Sequence, residues 1–293
     1  MNLIIQPDSG LTTVVQAIKR AKRRVDVAIF RLDSKDVEKA LATAVQRGVR
    51  ARVLVAHTNS GGESRLRKLE QRLLESGVTV ARTGDEFVRY HGKFMVTDDR
   101  LYVFGFNFTK VDTLKSRSFG ISTRDKSALN EALALFEADA TRQPFVPKRT
   151  RLVVSPENAR EQLTKFVKGA KQQLLVYDTN LQDPAFLKLL KQQASSGIDV
   201  RVIGKCKNSN PIIVRPLKDT RLHVRAIVRD GSQAFVGSQS LRRLELDARR
   251  EVGVLITNRS VAKKVRDVFE RDWEESTPKK EEKKEEKAIR AAS

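Results

Sequence analysis

The sequence predicts an α/β protein made by internal duplication, with two mixed-sheet halves. Three observations lead there. Helical and strand periodicities alternate along the chain and then begin again. The passage AVQRGVRARVLV at 44–55 has a counterpart in QASSGIDVRVIG at 193–204. A short pattern around His91 returns around His223, 132 positions later (223 − 91). A repeat of about 130 residues is too long for a solenoid unit and fits a duplicated domain.

The elements follow in order. Val14, Val15, Ile18 and Ala21 recur at helical spacing within 12–22, and Val25, Val27 and Ile29 alternate as a strand within 24–32. An Ala-rich helix at 37–46 is closed by Gly48 and followed by a strand at 49–55; a helix at 65–75 is closed by Gly77, with 78–81 extended. Residues 94–96 and 101–104 read as a strand pair around the polar turn at Asp98, Asp99 and Arg100, and 129–140 as a closing helix. In the second half, helices are expected at 159–170, 184–194 and 261–273, with strands at 174–177, 200–203, 226–228 and 234–236. The seam is RQPFVPKRT, 142–150, where two prolines interrupt the helical pattern. The expected units are therefore 1–145, 146–275 and a charged mobile tail, 276–293. In that tail like charges recur at i,i+4 and there is no apolar face.

Composition narrows the partners. With 40% apolar residues there is material for a core, and a formal net charge of +21 argues for an anionic partner. The excess is shared by both halves. Between 201 and 229 eight Lys and Arg face one acidic residue, Asp219, which makes an electropositive approach to the second histidine pattern. The single Cys206 excludes an intramolecular disulfide framework and a Cys-rich metal centre, and it fits a reducing compartment, the cytoplasm. No apolar run approaches the ~18 residues of a spanning helix, and no signal peptide is evident at the start.

Two of the three histidines share one pattern: His91-x-Lys93 with Asp98, and His223-x-Arg225 with Asp230. On a strand, His-x-Lys puts both side chains on one face. If the halves pack about a pseudo-twofold axis, two imidazoles and two cations converge. That set suits a phosphodiester: the cations hold phosphoryl oxygens, one histidine attacks phosphorus and the other protonates the leaving oxygen. The cations supply the charge stabilisation, so no metal or other cofactor is expected, and neither HExxH nor a His/Cys cluster is present. His57 has no counterpart and reads as a surface residue. Asp26 and Asp178, on or beside early strands, read as pins for the sheets, and the Asn59–Gly62 turn as a border of the site.

With both copies in view, the chain resembles the phospholipase D superfamily, marked by HxKxxxxD, a following GSxN-like turn and a downstream Glu. The resemblance extends over residues 1–275. It implies two halves packed as a pseudo-dimer around one active site, His91 as nucleophile through a phosphohistidine, and His223 as general acid. It also implies that Lys93 and Arg225 grip phosphate while Asp98 and Asp230 support from behind. This sequence departs from the pattern in complementary ways. FGFNFT, 104–109, places Gly105 in the Ser slot and keeps Asn107, whereas GSQS, 237–240, keeps Ser238 and sets Ser240 opposite Asn107. Only the second half keeps the Glu, as Glu251, with Ser118 at the matching place, and Arg225 replaces Lys with a planar fork. Asn107, Ser238 and Ser240 are thus expected at the phosphate and Glu251 in support.

Three readings follow. The first is an enzyme on phospholipid, a phospholipase D or a phosphatidyl transferase like cardiolipin synthase, associated peripherally with the inner face of the membrane. The second is a nuclease or nucleic-acid end-processing phosphodiesterase, disfavoured by an aromatic content of 6% with little basic–aromatic interleaving. The third is a non-catalytic phosphate clamp.

Overall fold

The computed structural model describes residues 1–148 and 150–276. Of the expected tail only Ser276 falls within the described residues, where it closes the last helix; 277–293 lie outside them. The first half runs β1 (Asn2–Gln6), α1 (Thr12–Arg20), β2 (Arg24–Ile29), α2 (Lys35–Gln46), β3 (Arg50–Val55), α3 (Glu63–Glu75), β4 (Thr79–Arg82), β5 (Arg89–Tyr90), β6 (Phe94–Thr97), β7 (Arg100–Phe104), α4 (Lys110–Leu114), β8 (Ser116–Thr123) and α5 (Lys126–Thr141). The second runs β9 (Leu152–Ser155), α6 (Ala159–Lys168), β10 (Gln173–Leu181), α7 (Pro184–Ser195), β11 (Asp199–Cys206), β12 (Ile213–Arg215), β13 (Arg221–Leu222), β14 (Arg225–Arg229), β15 (Gln233–Gly237), α8 (Arg243–Asp247), β16 (Arg249–Ile256) and α9 (Arg259–Glu275).

Local chemistry sets these boundaries. Ser34, Asp125, Asp183 and Asn258 accept hydrogen bonds from the first free N–H groups of α2, α5, α7 and α9, and Pro184 fills the first turn of α7, where a missing N–H costs nothing. Gly48 and Gly197, the glycines of the repeated passage, stand at φ +81° and +87° after α2 and α7, a backbone turn that returns the chain to a parallel strand.

The two sheets share one mixed topology. In the first the order is β1-β8-β7-β6-β2-β3-β4; in the second β9, β16, β15, β14, β10, β11 and β12 take the matching places. β2–β3–β4 and β10–β11–β12 are parallel, and the remaining neighbours within each set are antiparallel. The predicted duplicated α/β fold is thus the one observed.

Each sheet also takes one strand from the other half. β5 pairs in parallel with β16, and β13 pairs in parallel with β8. The periodicity reading missed both, and it missed β1, β8, β9, β12 and β16 as well. The exchanged strands are two residues long and carry no period. β8 and β16 are buried on both faces for most of their length, which erases the alternation that marks a half-exposed strand.

Three cores result. One lies within each half, under α1–α3 and under α6–α8. The third runs between the sheets and joins residues of both halves, from Phe94 and Phe136 to Val252 and Trp273. Along this seam Gly105 sits where a Cβ would lie 3.0 Å from Phe119 O and Ser118 Oγ and 3.1 Å from Gly237 O. Crowding by β8 of its own half and by the Gly237 carbonyl of the other explains why no serine occupies that slot.

Candidate active site

The strand exchange places the histidines. β5 belongs to the second sheet and β6 to the first, so His91-Gly92-Lys93 is an extended link between sheets and not the continuous strand the spacing suggested. His91 N donates to Arg250 O (2.7 Å) and Phe104 N donates to Lys93 O (2.9 Å), one bond to each half. His223 follows β13, which lies on the first sheet, and its N donates to Arg117 O (3.1 Å) before Arg225 opens β14. Each imidazole is therefore aimed by the sheet of the opposite half.

Both histidines line one cleft of about 730 Å³ between the halves. His91 Nδ1 lies 2.9 and 3.1 Å from the Glu251 carboxylate oxygens. Burial, with Lys93, Arg225, Arg249 and Arg89 around the ring, holds His91 well below its ordinary range, while burial pushes the Glu251 carboxyl up. With Nδ1 engaged by Glu251, Nε2 is the ring nitrogen of His91 left for the cleft. His223 is likewise held well below its ordinary range by burial and by Arg225, against the pull of Asp112. Its Nδ1 lies 3.7 Å from Asp112 Oδ2 and is buried without a hydrogen-bond partner.

The remaining residues singled out by sequence occupy two depths. Arg225 lines the cleft and donates to His223 O (3.0 Å) and Ser240 Oγ (3.2 Å). Asn107 lines it too, with Nδ2 bonded to Asp112 (2.8 Å) and Oδ1 buried and unpartnered. Lys93 lies behind: it is fully buried, Nζ donates to His91 O (2.6 Å), and burial pushes its amine down to about 7. Ser238 and Ser240, expected at the phosphate, do not line the cleft; the first bonds the Val252 backbone and the second bonds Thr179 and Arg225. Asp98 and Asp230 stand in the hairpin turns at φ 45° and 51°. They accept from the backbone N–H groups of residues 22–24 and 171–173, so they fix the loops entering β2 and β10. Asp26 and Asp178 are buried, the first paired with Arg24 and Arg52, the second accepting from Leu241 N and Asn180 N. His57 is exposed, and Ser60 of the Asn59–Gly62 turn borders the cleft.

Sequence reasoning missed Asp112 and Glu245, acidic residues of the short helices α4 and α8 that both line the cleft. The signal was present: they are 133 apart (245 − 112), the same offset that relates Asn107 to Ser240. A rim of Arg31, Arg89, Lys110, Arg221, Arg242 and Arg249 surrounds them. No three His, Cys, Asp or Glu side chains among the described residues are grouped to hold a metal ion.

Fold and cleft together define a duplicated α/β protein with one histidine from each half at a shared, cation-rimmed site. The expected resemblance to the phospholipase D superfamily is met in the first half, where residues 14–140 match the family described as "Cardiolipin synthase, PLD-like domain". It is 22% identical to cardiolipin synthase 1 of Staphylococcus epidermidis over 131 residues, a match covering 39% of this chain and 27% of that protein. The chain thus spans about a quarter of the length of the curated relatives it matches. Among solved structures it is similar to polyphosphate kinase from Porphyromonas gingivalis (TM-score 0.76, 18% identity, 92% of this chain and 49% of that one). It is also similar to phosphatidylserine synthase from Haemophilus influenzae (TM-score 0.73, 12% identity, 94% and 86%). At these identities the likeness concerns the fold.

Proposed function

We propose that this chain is a phosphodiesterase or phosphatidyl transferase of phospholipase D type, with phospholipid as its substrate. The observation that carries the chemistry is the convergence of His91 and His223 on one cleft, each with Nδ1 turned to a carboxylate of the opposite half. His91 Nε2 attacks phosphorus, the bond from phosphorus to the leaving oxygen breaks, and His223 gives that oxygen its proton. Water or an alcohol then returns a proton to His223 and attacks the phosphohistidine, which frees His91. Arg225 and Asn107, which line the cleft, hold the phosphoryl oxygens, and the cationic side chains at its rim offset the charge that develops on them without a metal ion.

The substrate reading rests on the mouth. Four of the seven large apolar side chains exposed on the described surface stand on or beside cleft-lining segments: Val88, Val111, Leu114 and Leu244. Apolar side chains among arginines suit the boundary between headgroups and acyl chains of an anionic bilayer. A nucleic acid would favour stacking faces. Apart from the two histidines, the aromatic residue lining the cleft is Phe30, which is buried with its ring against His91 (4.9 Å between centroids).

The test uses the full chain with EDTA, offered phosphatidylglycerol vesicles or labelled single- and double-stranded DNA. Turnover of the vesicles is expected, with acid-labile labelling of the protein that His91→Ala abolishes. Robust turnover by His91→Ala would overturn the mechanism, and turnover of DNA alone would overturn the substrate.

A further inference from the structure

Resting on that reading, we propose that Asp112 is the positioning residue of the leaving-group histidine, standing in for the carboxylate that the first half lacks at Ser118. The two halves are unequal at this point. Glu251, on β16, crosses to His91 of the first half. The matching place on β8 is Ser118, whose hydroxyl donates to His223 O (3.4 Å) and leaves the ring nitrogen alone. Asp112, on α4 of the first half, brings a carboxylate oxygen to 3.7 Å from His223 Nδ1. The carboxylates are therefore exchanged between halves in both directions, from different elements.

The groups facing His223 decide what Asp112 does. Arg221 and Arg225 come from its own segment, Lys93 from the first motif and Asp112 from α4. Three cations oppose an imidazolium and one anion favours it. Only an imidazolium with N–H at both ring nitrogens can give Nε2–H to the leaving oxygen while Nδ1–H stays with Asp112. The anionic oxygens of a bound phosphodiester would offset the cations, so the ring takes up its proton when substrate is present and closes the 3.7 Å gap. Asp112 is held ready for this. Oδ2 accepts from Asn107 N (2.9 Å) and Nδ2 (2.8 Å), and Oδ1 accepts from Arg221 (2.8 Å). Its counterpart Glu245 is engaged elsewhere, with Arg249 (2.8 Å) and Arg242 (3.4 Å), because His91 already has Glu251.

The chain has three histidines, so ring nitrogen NMR resolves each, with His57→Gln and His91→Gln giving the assignment. With inorganic phosphate in the cleft, wild-type His223 is expected to carry its neutral-state proton on Nδ1. In Asp112→Asn that preference is lost and the titration midpoint of His223 falls by about 1 pH unit or more, while the His91 signals stay in place. Asp112→Glu should restore part of both, and it serves as the informative variant if Asp112→Asn does not fold. On phosphodiester substrates the fall in kcat for Asp112→Asn should be about tenfold larger with an alkyl leaving group than with p-nitrophenol, which leaves without a proton. Unchanged His223 tautomer and midpoint in Asp112→Asn would overturn the proposal. A His223 response in a chain that turns over no phosphodiester would support the Asp112 pairing while removing the enzymatic reading.

Discussion

Lys93 shows how burial among cations sets the charge state around the cleft. Its amine is buried against the His91 carbonyl and pushed down to about 7, and the imidazoles of His91 and His223 are held well below their ordinary range for the same reason, removal from water among cations. An entering phosphate reverses that balance, so binding inorganic phosphate at pH 8 is expected to draw protons from solution. Calorimetry in two buffers of different ionisation enthalpy should give different apparent enthalpies, and Lys93→Met should shrink the difference; equal enthalpies for the wild type would rule the account out. The same group makes a stability prediction. Unfolded Lys titrates near ~10.4, so between pH 7 and 10 the unfolded chain binds more protons and stability rises with pH. The penalty is fully present below about pH 7. Lys93→Met should therefore raise Tm at pH 7 and flatten its rise toward pH 9. At this scale the sequence was most informative where spacing repeats: the His-x-Lys/Arg pairs were legible because two copies share an offset. Which residues face the cleft was not legible, because Lys93, Ser238 and Ser240 differ from Arg225 in depth, and depth depends on packing between halves.

The two-residue strands β5 and β13 carry more of the site than their length suggests, since each delivers a histidine onto the other half's sheet. Periodicity cannot reveal a strand with no period, and its partner lies more than a hundred residues away. The longer parallel units were legible because α2–β3 and α7–β11 keep helix, glycine and strand signals in order. Within the β5–β16 pairing, where it stands opposite Tyr90, Arg250 is almost wholly buried. It bonds Asp139 of α5 (3.1 Å), the Ser155 carbonyl (3.0 Å) and Glu157, with Phe87 against its guanidinium (4.3 Å). Removing one member of a buried pair leaves the others uncompensated, so Arg250→Met should cost about 3–5 kcal/mol in urea unfolding. A loss within experimental error would show that the pairing does not hold the halves in register. His91 N is bonded to Arg250 O, so the same variant is expected to slow phosphohistidine formation even where the protein stays folded.

For the molecule as a whole, the core between the sheets is shared, and neither half can bury its face of it alone. Urea unfolding should accordingly follow a single cooperative transition by tryptophan fluorescence and by circular dichroism, with Trp273 in the shared core. Two separated transitions would mean that the halves fold independently. Co-expressed pieces divided between 145 and 150 should co-purify, and activity should require both. The duplication was legible in the repeated passage and the histidine offset. The reciprocal crossing of strands and carboxylates was not, because it is a relation between surfaces that no local window contains. That crossing has a genetic consequence. In a symmetric assembly of two separate copies, one codon would write both histidine environments, and any change would strike both at once. Here Glu251 and Asp112 are written separately, so the environment of His91 and that of His223 can drift, or be edited, one at a time.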